Sequence, residues 1–186
     1  MKLDIESARA HRPYSAREYL GRLLWSVVSP LFRWSPRPFF AWRRMLLRAF
    51  GARVGRGVHI DPSARIEIPW MLRVGDHAAI GAQVWVYCLG LVQIGERATV
   101  SHRAHLCAGT HDYTDPVLPL VRAGLSIGAD AWICSDAFIG PGISVGEGAV
   151  VGAGSVVMRD VDPWHVVAGN PARFVKLRED RTDKSP

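Results

Sequence analysis

After Gly51 the chain is dominated by a repeat in which an aliphatic residue recurs every six positions. Glycine directly follows many of these residues, and a small residue often stands four places on, as Ala78 does after Val74. The in-phase aliphatic residues are Val54, Ile60, Ile66, Val74, Ile80, Val86, Ile94, Val100, Leu106, Ile127, Ile133, Ile139, Val145, Val151 and Val157. A period of six fits neither a helical turn nor simple alternation along a strand. It predicts a chain that makes a short strand, turns a corner and repeats.

Three such hexads make one triangular coil, with the aliphatic side chain pointing inward and the small residue leaving room near the same corner. We expect the glycines to supply the turn dihedrals at the corners. Coils then stack at about 4.8 Å, the spacing of hydrogen-bonded strands. The sequence therefore predicts an all-β fold, a parallel β-helix.

The six-residue phase slips three times. The spacing is eight residues at Ile66–Val74 and again at Val86–Ile94, which indicates a slightly enlarged corner in two successive coils. Between Leu106 and Ile127 it is twenty-one residues, so residues 112–126 are predicted to leave the column as an excursion loop. Long excursions from a regular scaffold commonly carry function. We place the β-helix at residues 52–162, and a C-terminal turn and fraying tail at 163–186.

The first fifty residues differ from the rest in charge. They hold ten of the 23 Lys and Arg residues but three of the 17 acids, together with nine of the seventeen aromatic residues. Residues 1–51 are predicted to form short amphipathic helices, the first capped by Ser15 and Glu18 and limited by Pro30. In a second helix, started by Ser35 and Pro36, one face is expected to be apolar and the other basic. The apolar face holds Phe39, Trp42, Leu46 and Phe50, and the basic face Arg43, Arg44 and Arg48.

Two interpretations of this basic segment stay open. Its helices can cap the first coil, as repeat proteins require, or residues 15–50 can lie on an anionic membrane surface. The apolar run 23–32 is too short to span a bilayer. Nucleic acid is not expected as a partner, because the basic residues share their segment with Trp and Leu faces that suit burial.

Cysteine usage indicates the compartment. The three cysteines, Cys88, Cys107 and Cys134, are few and odd in number, and charged residues are scattered through the first thirteen positions, where a signal peptide would have an apolar core. The sequence therefore favours a reducing, cytoplasmic location, with peripheral contact at the inner face of a membrane as an option.

Three features of the sequence belong together: the hexads, the excursion headed by Gly109-Thr110-His111-Asp112-Tyr113, and the ending Val167-Ala168-Gly169-Asn170-Pro171-Ala172-Arg173. Together they resemble the hexapeptide-repeat acyltransferases, and within them the colanic-acid biosynthesis acetyltransferases related to maltose and galactoside O-acetyltransferases. The resemblance covers about residues 52–178. It implies a left-handed β-helix, a homotrimer with active sites between subunits, and acetyl transfer from acetyl-CoA to a sugar hydroxyl, as in exopolysaccharide or other surface-glycan assembly. It implies no metal.

The resemblance also implies the catalytic residues. His111 matches the general base that removes the proton of the acceptor hydroxyl, a task suited to a group that titrates near neutral pH. The backbone amide of Ser135 matches the donor that stabilises the tetrahedral oxyanion. Trp132 is expected to stack on substrate or cofactor, with packing at a coil corner as the alternative. Asp112 is expected on the acceptor side.

The same match implies contacts to the cofactor. Ala153 and Gly154 are small enough to let the pantetheine arm approach the backbone, and Met158 and Arg159 fall where the family contacts CoA. Two further cations suit the 3′-phosphate end, and these are Arg173 and Lys176.

One position departs from the family. Related sequences commonly place Asn after the tyrosine that corresponds to Tyr87, and this chain has Cys88. A thiol cannot make the paired bonds of an amide, so the acceptor contact expected from Tyr87 and Cys88 is altered, and a non-catalytic trimeric assembly module becomes an alternative function. A second alternative is a zinc site like that of γ-class carbonic anhydrases, built from residues such as His59, His77, His102 and His105.

Overall fold

The computed structural model describes residues 3–10 and 13–179. Three helices come first, α1 (Ile5–Ala10), α2 (Ala16–Arg33) and α3 (Phe40–Ala49). The strands follow in the order β1 (Arg53–Val54), β2 (His59–Ile60), β3 (Arg65–Ile66), β4 (Leu72–Val74), β5 (Ala79–Ile80), β6 (Trp85–Tyr87), β7 (Val92–Ile94), β8 (Thr99–Val100), β9 (His105–Cys107), β10 (Thr110–His111), β11 (Leu120–Val121), β12 (Leu125–Ile127), β13 (Trp132–Ile133), β14 (Phe138–Ile139), β15 (Ser144–Val145), β16 (Val150–Val151), β17 (Val156–Val157), β18 (His165–Gly169) and β19 (Ala172–Leu177). A single 3₁₀ turn, Pro69–Met71, precedes β4.

Most strands belong to three parallel sheets that form the faces of a triangular column. Sheet 1 has the order β1-β4-β7-β12-β15, sheet 2 contains β2-β5-β8-β13-β16 followed by β18 and β19, and sheet 3 has the order β3-β6-β9-β14-β17. Along the chain the strands visit sheets 1, 2 and 3 in turn, so three strands complete one coil. The predicted fold class, a parallel β-helix with a short helical N-terminal segment, is confirmed.

The interior of the column is filled as the hexads predict. All fifteen in-phase aliphatic residues lie in strands and are buried. The registers stack them directly, for example Val54 on Val74 and Val74 on Ile94 in sheet 1. The small residues of the hexads, such as Ala78 and Ala98, are fully buried beside them. A continuous apolar core therefore runs the length of the column.

The glycines that follow the aliphatic residues were expected to supply turn dihedrals, but the structure requires them for a different reason. A Cβ on Gly95 would lie 2.4 Å from the backbone nitrogen of Ala129 in the next coil, and one on Gly128 would lie 2.5 Å from that of Glu147. Close approach of stacked backbones thus excludes a side chain there. The left-handed dihedrals occur two residues later and are adopted by non-glycine residues such as His77 and Arg97.

The three phase slips all fall at the corner between sheets 3 and 1, named here corner 3–1. The first two hold the 3₁₀ turn and the segment between β6 and β7. The third is the excursion, in which β10 pairs with β11 as an antiparallel hairpin. Leu125 and Ser126, assigned to the excursion by spacing, belong to β12 and pair with sheet 1.

The N-terminal segment forms the predicted helices with different faces. The capping box of Ser15 and Glu18 is present, but α2 runs through Pro30 to Arg33. Trp25 and Phe32 form its buried face, whereas the apolar residues at helical spacing, among them Leu20, Leu23, Leu24 and Leu31, which an amphipathic helix is expected to bury, are exposed. In α3 the predicted basic face is also incorrect, because Arg43 is fully buried.

These helices close the first coil by hydrogen bonding its free edge. Alternate carbonyls of an edge strand point away from the sheet and lack a strand partner. Arg43 donates to the Ile60 carbonyl at 2.7 Å, Arg44 to that of Val58 at 2.8 Å, and Arg48 to that of Val54. On the third face, Trp25 Nε1 donates to the Ile66 carbonyl at 2.7 Å. The structure thus shows the capping role.

The C-terminal region is more ordered than the predicted turn and tail. β18 continues sheet 2 in parallel with β16, and β19 folds back antiparallel onto β18. The predicted fraying of residues 180–186 lies outside the described residues. None of the helices in the described part of the chain is long and apolar enough to cross a membrane.

Candidate active site

The hairpin at corner 3–1 carries His111. Its backbone pairs with Leu120, and the base of the hairpin is fixed because the Gly90 N–H donates to the Ala108 carbonyl at 2.7 Å. The side chain of His111 is exposed. A rigid corner therefore presents this imidazole outside the column.

A hydrogen bond within the hairpin sets the tautomer of His111. Its Nδ1 lies 2.6 Å from the carbonyl oxygen of Leu118. A carbonyl can only accept, so Nδ1 carries the proton and donates. The neutral ring then has its lone pair on Nε2, which is the state a general base requires.

Two side chains hold the hairpin in shape. The Asp112 carboxylate accepts from the Thr114 N–H at 2.9 Å and from the Thr114 hydroxyl at 2.6 Å, and these bonds lower the pKa of Asp112. Arg122 donates to the Leu89 carbonyl at 2.7 Å and to Glu18 Oε1 on α2 at 2.8 Å. Asp112 thus closes the turn, and Arg122 ties the hairpin to the N-terminal helix.

Ser135 lies at the corner between sheets 2 and 3, named here corner 2–3. Its carbonyl accepts from the Gly154 N–H at 2.9 Å, which places the predicted cofactor residues Ala153 and Gly154 on the next coil at the same corner, both exposed. Within the described residues the Ser135 N–H donates to no protein acceptor. It is thus available to an oxygen atom of a bound molecule.

The side chains around Ser135 join neighbouring coils. Its hydroxyl lies 2.9 Å from His102 Nδ1, and the indole of Trp132 donates to the Ser101 hydroxyl at 2.9 Å. Trp132 remains about half exposed on the outer face of sheet 2. Its polar edge is thus occupied by Ser101, and its ring is accessible.

His111 and Ser135 lie on opposite sides of sheet 3. In sheet 3, Ile139 pairs with Leu106, so Gly140 lies beside Cys107, from which the chain continues into the hairpin that carries His111. The five residues from Ser135 to Gly140 correspond to about 16 Å of extended chain. A single chain therefore holds the predicted base and the predicted oxyanion donor at different corners.

A cavity of about 470 Å³ near the C-terminal end of the column brings together Met158, Arg159 and Arg173, three of the predicted cofactor residues. Met158 and Arg159 follow β17 at corner 3–1, and Arg173 comes from β19. Lys176 is exposed on β19 opposite Val166 and does not line this cavity. The same cavity is also lined by Asp160 and Asp162, so its two cations stand beside two acids as well as an apolar thioether.

Cys88 does not fit the predicted acceptor contact. It is fully buried, its thiol donates to the Ile68 carbonyl at 3.2 Å, and burial raises its pKa to about 12. The neighbouring Tyr87 is half-buried on the outer face of sheet 3, edge-on to Trp85. The departure from the family at Cys88 therefore lies inside the column, and it no longer supports a non-catalytic module.

The histidines of the zinc alternative are engaged separately. His59 stacks on Phe40, His105 stacks on Trp85, and His102 faces Ser135. Burial lowers the pKa of His105. Among the described residues, no three His, Cys, Asp or Glu side chains are grouped so that they could hold a metal ion.

Comparison with known proteins gives the family. Residues 124–159 match the family model described as bacterial transferase hexapeptide (six repeats). Over 157 residues the chain is 39% identical to a protein of Escherichia coli (strain K12) named as the colanic acid biosynthesis acetyltransferase WcaF, covering 84% of this chain and 86% of that protein. This chain belongs to the hexapeptide-repeat acetyltransferases.

Solved structures agree with this hexapeptide-repeat assignment. The hexapeptide-repeat acetyltransferase VCA0836 of Vibrio cholerae O1 biovar eltor, crystallised with acetyl coenzyme A, is 25% identical with a TM-score of 0.82, covering 91% of this chain and 93% of that one. A maltose O-acetyltransferase from Clostridium difficile 630 has the same fold, with a TM-score of 0.79 at 24% identity, and the comparison covers 96% of this chain and 98% of that one.

Sequence reasoning missed three features around the candidate site. The Leu118 carbonyl, which sets the tautomer of His111, has no sequence signal, because any residue supplies a carbonyl. The contact of Arg122 with Glu18 joins residues 104 positions apart. His102 could have been found, because aligning hexads across the excursion places it one coil before Ser135.

Proposed function

We propose that this acetyltransferase transfers an acetyl group from acetyl-CoA directly to a sugar hydroxyl, with His111 as general base. The observation that carries the proposal is the bond from His111 Nδ1 to the Leu118 carbonyl, which leaves Nε2 free to accept a proton. In the reaction, the acceptor hydroxyl loses its proton to Nε2 as its oxygen attacks the thioester carbonyl. The C–S bond then breaks, and the thiolate of CoA takes up the proton.

The oxyanion of this reaction requires a donor that one chain does not place beside His111. We propose a homotrimer in which the hairpin of one subunit faces corner 2–3 of the next. The Ser135 N–H, directed at no acceptor within the described residues, then stabilises the oxyanion. Trp132 on the adjoining face packs against the bound substrates.

The cofactor is proposed to follow corner 2–3 of one subunit and the C-terminal cavity, at corner 3–1, of the neighbouring subunit. Ala153 and Gly154 present small, exposed surfaces one coil above Ser135, which suit a pantetheine arm. Arg159 and Arg173 supply cations for phosphate groups, Met158 adds apolar contact, and Lys176 on β19 is proposed as a peripheral phosphate contact.

The pathway proposal rests on the relative. The Escherichia coli protein is named for colanic acid biosynthesis, and we propose that this chain likewise acetylates a sugar in exopolysaccharide or surface-glycan assembly. A cytoplasmic location is proposed with it, supported by three cysteines that are free thiols in the described residues.

Replacing His111 with Asn tests the mechanism. Loss of a general base lowers kcat by about 10²–10⁴, and the affinity for acetyl-CoA, measured by calorimetry, should not change. Release of CoA thiol in the presence of sugar acceptors reports turnover. The matched control is His77→Asn, an exposed corner histidine whose left-handed dihedrals asparagine adopts readily. Turnover by H111N equal to that of H77N would refute the role of His111.

A further inference from the structure

Helix α2 exposes an apolar stripe that the cap does not use. Trp25 and Phe32 are its buried contacts with the column. On another face five aliphatic side chains are 51–69% exposed, namely Leu20, Leu23, Leu24, Val27 and Leu31. At 100° per residue these five fall within about one third of the helix circumference. Trp34 continues the stripe past the end of the helix and is 85% exposed.

Cationic side chains border this stripe. Arg17 and Arg33 are exposed at the two ends of α2, and the side chain of Arg37 is 82% exposed just beyond it. A groove of about 280 Å³ between α2 and β3 lies on a different face of α2 from the stripe, because the buried Trp25 and Phe32 also line it, so it does not border the stripe. Its charged residues are Arg22, Arg33, Arg65 and Glu67. Three of the seven arginines in residues 15–50, Arg43, Arg44 and Arg48, bond to the first coil, which leaves four outside the cap; the single acid there, Glu18, is already paired with Arg122.

We propose that α2 docks on the surface of a membrane containing anionic lipids, with the stripe at the level of the acyl chains and the arginines at the phosphates. An apolar face bordered by arginines, with a Trp at its end, matches the requirements of an interfacial helix. A twofold contact between the stripes of two copies of this chain fits less well, because it would bring two sets of arginines together; a contact of the stripe with a different surface in the proposed trimer is an outcome of the test below.

Docking of α2 on a membrane also has a consequence for the substrate, and this consequence rests on the proposed function. Glu18 at the start of α2 binds Arg122, which follows the strand paired with His111. The docking helix is therefore tied to the hairpin that presents the proposed base. This arrangement favours an acceptor sugar carried on a lipid at the membrane surface.

The experiment is co-sedimentation of the full chain with phosphatidylcholine vesicles, with and without phosphatidylglycerol. We expect binding to the vesicles that contain phosphatidylglycerol, weakening as salt is added. Val27→Glu on the stripe should lower the partition constant by about tenfold or more. The change removes an apolar side chain that the proposal places among the acyl chains, and it puts a charge there. The matched control is Val175→Glu, the same change at a 58% exposed position of β19, which should bind as the wild type does.

Equal binding by wild type and V27E, or no binding to either vesicle, would overturn the proposal. A fall in the oligomer mass of V27E without vesicles would also overturn it and would assign the stripe to a second copy of the chain. Activity toward a water-dissolved sugar acceptor separates this proposal from the catalytic one. We expect V27E to retain that activity, whereas failure of the proposed function would abolish it in the wild type and leave vesicle binding intact.

Discussion

Arg43 gives the sharpest test of how the helical segment stabilises the column. Its guanidinium is fully buried and donates to the Ile60 carbonyl, the Ser35 hydroxyl, and the carbonyls of Pro36 and Arg37. Burial lowers the pKa of Arg43, and the nearby Asp61 carboxylate opposes that effect. The side chain therefore combines four charge-assisted bonds with a large desolvation cost.

The expected magnitude follows from these opposing contributions. Four bonds from a charged donor contribute about 6–12 kcal/mol at about 1.5–3 kcal/mol each, and burying the guanidinium costs several kcal/mol. Arg43→Met should therefore lower the free energy of unfolding by about 3–5 kcal/mol, the range seen when one partner of a buried charged network is removed. Arg43→Lys should show an intermediate loss, because an ammonium group cannot reproduce the planar fork.

Urea denaturation followed by circular dichroism measures the change, at one fixed protein concentration because the proposed assembly would add to the stability. The matched control is Arg44→Met, which removes one bond to the Val58 carbonyl and should cost about 1–2 kcal/mol. If R43M were no less stable than R44M, the buried network of Arg43, with its three further bonds inside the helical segment, would not contribute to the stability of the cap.

Two further predictions concern the site and its anchor. Ser135→Ala keeps the backbone N–H, so kcat should fall by less than about tenfold. Loss of an oxyanion donor would instead lower kcat by about 10²–10³. A fall of that size would show that the Ser135 hydroxyl, which is paired with His102, takes part in the chemistry. Glu18→Gln should lower the free energy of unfolding by about 1 kcal/mol at neutral pH. The backbone bond from Ser15 and the contact with Arg122 lower the pKa of Glu18, so this difference should persist above pH ~4.3 and vanish as the pH falls through the lowered pKa. Stability measured across pH checks this against Glu6→Gln, an exposed position on α1, and a difference that does not depend on pH would contradict it.

The hexads predicted the column because each of them places one aliphatic residue inside it. That relation is local, so Val54 and Val157 at the two ends follow the same rule as Ile133 in the middle. The excursion was found for the same reason, since a broken period marks where the chain leaves the scaffold; the role of His111 within it came from the resemblance and stays a prediction. The capping box at Ser15 was equally local.

The roles missed by sequence depend on what lies beside a residue in space. The sequence pattern predicts that Arg43 lies on an exposed basic face. In the structure it is buried, because it donates a hydrogen bond to the Ile60 carbonyl at the edge of the first coil. Cys88 was placed at the acceptor by the family match, but it follows a strand at an enlarged corner, where its thiol turns inward to Ile68. The β18–β19 hairpin forms because sheet 2 offers an edge that only the folded column possesses.

The stacked glycines between sheets 1 and 2 govern how this scaffold can change over evolution. At Gly95 no side chain fits, because the next coil is in contact, whereas His77 and Arg97 show that the left-handed position nearby accepts large residues. Each coil carries its own glycine, so a whole coil can be duplicated or deleted without creating a clash at its neighbours. Column length and surface chemistry can thus diverge independently, the first in units of a coil and the second one residue at a time.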